Sequence, residues 1–179
     1  MGSRYLHALV VLWLVLPLAG CGYSLAGRGS FLPASIKVIG VPLFKNSTNV
    51  FELERRVTDK VRSELIGRGK YKVETTAQGV DAVLLGEITA VTIAPATFNA
   101  QNQATRYVLT LTANIEFKTL SDNKVLWSNP AMTFSENYDV SSTATASDAA
   151  AFLGNDLNAL ERLATEFARS IVSSILEAF

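Results

Sequence analysis

Between Tyr107 and Phe117 the chain alternates without a break. Tyr107, Leu109, Leu111, Ala113, Ile115 and Phe117 fall on one side of the pattern, and Val108, Thr110, Thr112, Asn114 and Glu116 fall on the other. Successive side chains of a β-strand point to opposite faces, so this segment predicts a strand with one buried and one open face. Such a strand needs paired neighbours and a layer packed over its apolar side, which restricts the fold to a covered sheet.

The flanking segments supply both. Ser121-Asp122-Asn123-Lys124 is a turn, and Val125 to Ser135 returns as the hairpin partner, with Pro130 placing an edge or a bulge there. Upstream, Ile36 to Phe44 is a mostly apolar run with β-branched members that Pro42 ends or marks as an edge. Tyr71 to Thr75 predicts a short strand, and Asp81 to Ile93 a longer one that is apolar on both faces.

Two helices complete the set. Asn46 to Asn49 are capping residues, and Glu52 stands three positions beyond Asn49 as in a capping box. Leu53, Val57, Val61 and Leu65 then recur every four residues, with charged residues on the other faces, until Gly67 and Gly69. From Ser147 or Asp148 to the C-terminus, Leu153, Leu157, Leu160, Ala164, Phe167, Ile171 and Ile175 draw a second stripe. The Ser/Thr/Ala segment 139–146 before it has little to bury and predicts a loop. The expected fold class is therefore α+β, a two-layer α/β arrangement with two helices packed on one face of a small mixed β-sheet.

The N-terminus carries a different signal. Arg4 precedes nine consecutive apolar residues, Ala8 to Leu16, too few for a mature transmembrane helix, which needs about 20. Leu18-Ala19-Gly20-Cys21 then follows the pattern of a lipoprotein processing site, and Cys21 is the single cysteine. Residues 1–20 are expected to be a signal peptide, 21–34 a lipidated tether rich in Gly and Ser, and 35–179 one domain. Acyl chains contribute about 0.8 kcal/mol per buried CH₂, so three of them on Cys21 would hold a protein on a membrane permanently. The next residue, Gly22, is not the Asp that retains enteric lipoproteins at the inner membrane, which points to the outer one. The alternatives are an ordinary cleaved signal with an incidental cysteine, or a buried N-terminal helix.

Loss of residues 1–20 would leave 159 residues with 15 basic and 16 acidic side chains and no histidine, since His7 lies in the signal. Ser-His-Asp and Cys-His catalysis are thereby excluded, and a zinc site would lack any imidazole. No phosphate-cradling glycine motif and no calcium loop is present, and a near-zero net charge gives no basic face for nucleic acid. No catalytic residue, metal or cofactor is expected, and a binding or structural protein is favoured over an enzyme.

Several motifs in order resemble the lipopolysaccharide-assembly lipoproteins called LptE: Cys21-Gly22-Tyr23-Ser24-Leu25-Ala26-Gly27, Val41 to Thr48, Asp81 to Ile88, Arg106 to Thr112, and Lys124-Val125-Leu126-Trp127. They span nearly the whole mature chain. The resemblance implies two helices on a small mixed sheet and no enzymatic activity. It implies an outer-membrane lipoprotein, anchored through lipid on Cys21, that plugs and helps assemble the LptD β-barrel for lipopolysaccharide transport. The domain would lie on the periplasmic side and within the barrel lumen. Members can bind lipopolysaccharide through basic residues near one end of the sheet, but the segment Ala96 to Ala104 holds no Lys or Arg. Arg106 is then the nearest candidate, with Lys118 and Lys124 beside the opposite turn. Trp127 is either a core or rim residue of the domain or a contact with the barrel wall, and Tyr23 is a candidate for the membrane interface. Envelope lipoproteins of the curli-secretion and penicillin-binding-protein activator type, which form rings or activate a cell-wall synthase, match the segments 39–46 and 81–86 nearly as well. The long hairpin followed by one terminal helix favours the LptE reading.

Overall fold

The computed structural model describes residues 32–68, 70–139 and 157–179. The predicted signal, Cys21, Tyr23, Leu153 and nearly all of the segment 139–146 lie outside that range. The elements run β1 (Val38–Gly40), β2 (Lys45–Asn46), α1 (Leu53–Gly67), β3 (Lys72–Glu74), β4 (Ala82–Phe98), β5 (Ala104–Thr119), β6 (Val125–Asp139) and α2 (Leu157–Leu176). One sheet has the order β3-β1-β4-β5-β6, with β2 also paired to β4. β1 is parallel to β3 and β4, β2 is parallel to β4, and β4, β5 and β6 form an antiparallel meander. The mixed sheet and its two helices agree with the fold class expected from the sequence.

The alternating face of β5 lies where its pattern places it. Leu109, Leu111, Ala113, Ile115 and Phe117 are buried together with Leu84 and Ile88 of β4, Leu53, Val57, Val61 and Leu65 of α1, and Phe167 and Ile171 of α2. Leu160, Ala164 and Ile175 of the predicted terminal stripe are buried in the same core, which also takes in Leu32. Arg56 and Lys60, early in α1, pair with Glu161 early in α2, and Arg68 after α1 donates to Ser173 late in α2 at 3.1 Å. The helices therefore run side by side in the same direction. At the other edge of the core, Tyr138 Oη donates to the Ala159 carbonyl at 3.0 Å, and Phe134 meets Phe167 with ring centres 6.2 Å apart.

Four expectations need correction. The run Ile36 to Phe44 is not one strand: only Val38–Gly40 pairs, and the chain leaves the ladder before β2. The reason lies in where its backbone groups go. Asp81 Oδ2 accepts the N–H groups of Lys37 and Val38, Arg62 donates twice to the Val41 carbonyl at 2.9 and 2.7 Å, and Thr58 Oγ1 accepts the Phe44 N–H at 3.0 Å. Side chains thus replace the strand neighbour that Pro42 makes impossible. Glycines enforce the same packing. Any Cβ on Gly86 would stand 2.5 Å from the Phe44 ring, so the glycine is the space in which the ring lies.

The capping box also fails to form. Glu52 occupies the N-cap of α1 in a left-handed conformation (φ 59°) with no side-chain cap. Asn46 organises the entry loop instead, donating to the Val50 carbonyl and to Glu54 and accepting from Thr48. Thirdly, the meander strands are longer than their periodicity predicts, because pairing extends past the apolar segments: β4 continues to Phe98 and β6 to Asp139. Finally, the loop expected at Ala96–Ala104 shrinks to residues 99–103. Pro130 sits on the edge strand at a register shift between Ala113 and Ile115, as its chemistry predicts.

Candidate functional site

β4, β5 and β6 have 17, 16 and 15 residues, and each reaches about 50 Å at the ordinary rise of a strand. The meander thereby acquires two ends with different chemistry. One end carries the Asp122 turn, where Asp122 accepts from Thr119 Oγ1 and from the Lys124 N–H. These hydrogen bonds hold the Asp122 carboxyl below its ordinary pKa. Lys118 pairs with Glu116 at 2.8 Å beside this turn, and Lys124 contributes its carbonyl to the Thr119 N–H.

Arg106 is at the other end. It faces Thr97 on β4 and Asp139 on β6, and its Nε donates to Asp139 Oδ1 at 2.7 Å with about half of its side chain exposed. This hydrogen bond, reinforced by the charge attraction, lowers the Asp139 pKa and raises that of Arg106. Lys118 stands twelve positions after Arg106 along β5, roughly 40 Å away. The structure gathers Lys118 and Lys124 at one turn and sets Arg106 apart, so the three cannot contact one headgroup.

The tip beyond Arg106 is neutral from Pro95 to Thr105. Asn99 shapes it, accepting the N–H groups of Gln101 and Gln103 at 3.0 and 2.8 Å, and Asn102 supplies the left-handed residue (φ 60°). Phe98 is exposed there opposite Ala104, and Pro95, three residues earlier in β4, pairs with Tyr107. A proline is tolerated at that point because β2 pairs with β4 only as far as Ile88, leaving β4 an edge strand beyond it.

Away from the helices, the open face of the sheet carries Val108, Thr110 and Thr112 of β5, flanked by small neutral residues on both neighbours. Thr110 and Ser135 share a hydroxyl hydrogen bond of 3.0 Å, and Thr89 Oγ1 donates to the Thr112 carbonyl at 3.1 Å. The alternation of β5 exposes one row of this face to sequence reading, but the rows beside it depend on register and were not foreseen. Nearer the Lys118 end is a shallow notch of about 220 Å³ lined by Pro42, Leu43, Lys45, Leu85, Glu87 and Glu116 among others. It is smaller than a typical small-molecule pocket of about 300 Å³ or more. Among the described residues, no three His, Cys, Asp or Glu side chains are grouped to hold a metal ion. Trp127 is half-buried against the core opposite Phe117, at the rim of the domain.

The described surfaces are thus an open sheet face, charged groups at the two ends of the meander and a shallow notch. The model of the LptE lipopolysaccharide-assembly family matches residues 36–175. No curated protein matches by sequence. Among solved structures, protein XCC0632 from Xanthomonas campestris is similar at 16% identity and a TM-score of 0.50, covering 82% of this chain and 90% of its own. The hypothetical protein CT253 from Chlamydia trachomatis is similar at 9% identity and a TM-score of 0.50, covering 80% and 99%. The rare lipoprotein B from Shewanella oneidensis is similar at 16% identity and a TM-score of 0.47, covering 77% and 94%. At such identities the two structures with a TM-score of 0.50 speak for the fold alone. The family match covers every strand, α1 and all but the last residue of α2, and by it this chain belongs to the LptE family of envelope lipoproteins, which serve lipopolysaccharide assembly.

Proposed function

We propose that the protein is the plug of the large outer-membrane β-barrel LptD, held at the membrane by acyl chains on Cys21, and that it assists barrel assembly and lipopolysaccharide delivery without catalysing a reaction. The observation that carries this reading is the family match across residues 36–175. A meander about 50 Å long supports it, because the hydrocarbon layer a barrel must cross is only about 30 Å thick. On this reading residues 1–20 are removed, 21–34 tether the domain, and the folded part lies on the periplasmic side and within the barrel lumen. The test is affinity purification of the tagged full-length protein from detergent-solubilised outer membranes. A stoichiometric large barrel is the expected companion. Self-oligomers or a cell-wall synthase without a barrel would overturn the proposal.

Direct contact with lipopolysaccharide is assigned to Arg106, with Lys118 and Lys124 outside that site. Guanidinium groups form charge-assisted, often bidentate hydrogen bonds to phosphate, but at Arg106 a phosphate must compete with Asp139. Arg106→Ala should therefore weaken capture of purified lipopolysaccharide. Unchanged capture would remove the site and leave the plug role standing.

A further inference from the structure

The register of the meander assembles a charge-free tile on its open face. Three rows run across β4, β5 and β6: Ala90, Thr112 and Thr133; Thr92, Thr110 and Ser135; Ala94, Val108 and Asn137. Four of the nine residues are threonines, and the others are Ala90, Ala94, Val108, Ser135 and Asn137. The tile measures about 10 Å across the strands and about 14 Å along them. Beyond it stand ionisable groups, Arg106 paired with Asp139 at one end, and at the other Glu87, which accepts from the Ser47 hydroxyl, and Glu116 paired with Lys118. The helical layer is different, with surface pairs such as Arg55 with Glu52 and Arg169 with Glu166 of the mixed-sign kind that solvated faces carry.

We propose that this tile is the surface that lies against the inner wall of the barrel, an inference that rests on the plug reading above. The interior of a membrane barrel is polar. A plug face pressed on it loses water, and each charge buried there would need a dedicated partner. Hydroxyl groups both donate and accept, so they can meet whatever polar group the wall presents. Threonine is stiff at its first torsion, so ordering it loses little freedom. The Thr110–Ser135 hydrogen bond pre-orders the middle row further. Small side chains, neutrality and dual hydrogen bonding together match a polar wall better than they match a charged glycolipid headgroup.

The experiment places a photocrosslinking amino acid at Thr112 or Ser135, and in parallel at Arg55 or Arg169, in the full-length lipoprotein in outer membranes. Tile positions should crosslink the barrel about ten-fold more than the helix positions do. Thr112→Arg should reduce barrel recovery about ten-fold, and Thr112→Ser should not, with both variants melting like the parent in detergent. Barrel crosslinks mainly from Arg55 or Arg169 would overturn the tile assignment and leave the plug reading intact. Crosslinks from the tile to lipopolysaccharide or to a second copy would also overturn it. If tagged wild-type protein recovers no large barrel, the plug reading fails and the inference fails with it.

Discussion

Replacing Thr58 with valine tests whether side-chain hydrogen bonds hold the break between β1 and β2. Thr58 is fully buried and is the single buried polar residue among those described. Its Oγ1 accepts the Phe44 N–H at 3.0 Å and donates to the Glu54 carbonyl one turn earlier in α1. Valine has the same shape without the hydroxyl. The Glu54 carbonyl keeps its helical N–H donor, but the Phe44 N–H becomes a buried donor without a partner, at a cost of about 1–3 kcal/mol. For a domain of this size that corresponds to a fall in Tm of roughly 2–12 °C. Thr58→Ser keeps both hydrogen bonds and loses one methyl group, so it should cost only about 1 kcal/mol. Thermal unfolding followed by circular dichroism gives the energies, and amide exchange at Phe44 gives the location, which should speed up in the valine variant alone. A Thr58→Val protein as stable as the parent, with Phe44 still protected, would refute the argument that this hydroxyl satisfies the segment.

Gly86→Ala should destabilise by about 1–3 kcal/mol, because the new Cβ meets the Phe44 ring at 2.5 Å, and Phe44→Leu added to it should restore part of the loss in urea unfolding. Asp81 accepts the N–H groups of Lys37 and Val38, and those hydrogen bonds lower its pKa. Its contribution is present above the ordinary aspartate pKa of about 3.9 and is lost as pH falls through the lower folded value. Asp81→Asn should therefore flatten part of the acid limb of a stability–pH curve below about pH 4, and an unchanged limb would deny Asp81 that role. Asp139→Asn removes the anion that competes for Arg106, so lipopolysaccharide capture should rise where Arg106→Ala lowers it. A fall in capture with Asp139→Asn would mean that the pair serves to orient the strand ends.

Local pattern carried the elements whose signal is periodic. The β5 alternation, the four-residue stripe of α1, the stripe through Leu160, Ala164, Phe167, Ile171 and Ile175, and the edge position of Pro130 are all visible without coordinates, since each follows from the geometry of one element. The break after Gly40 was not legible, because Arg62 and Thr58 replace the missing strand neighbour from 21 and 14 residues away. Nor was the true N-terminus of α1, where Asn46 spends its hydrogen bonds on Val50 and Glu54, and Glu52 takes the cap position unaided. Of the candidate residues, local pattern places Arg106 and Lys118 towards the two ends of β5 and Lys124 in the turn before β6. Asp139, the partner that decides what Arg106 can bind, is 33 residues away and shows no local sign.

By itself the sequence determined the class of element, the faces that are buried and, by the absence of histidine after His7, the chemistry that a processed chain could not perform. These are properties of single segments and of composition, which a one-dimensional pattern records. Tertiary structure alone decided what stands beside what: the roughly 40 Å between Arg106 and Lys118, the Arg106–Asp139 pair, and the neutral tile of three strands. Register is set by burial of the opposite face, and a slip of one residue would exchange the threonine rows for the core. Packing under α1 and α2 thus fixes which side chains meet on the face that those helices never touch.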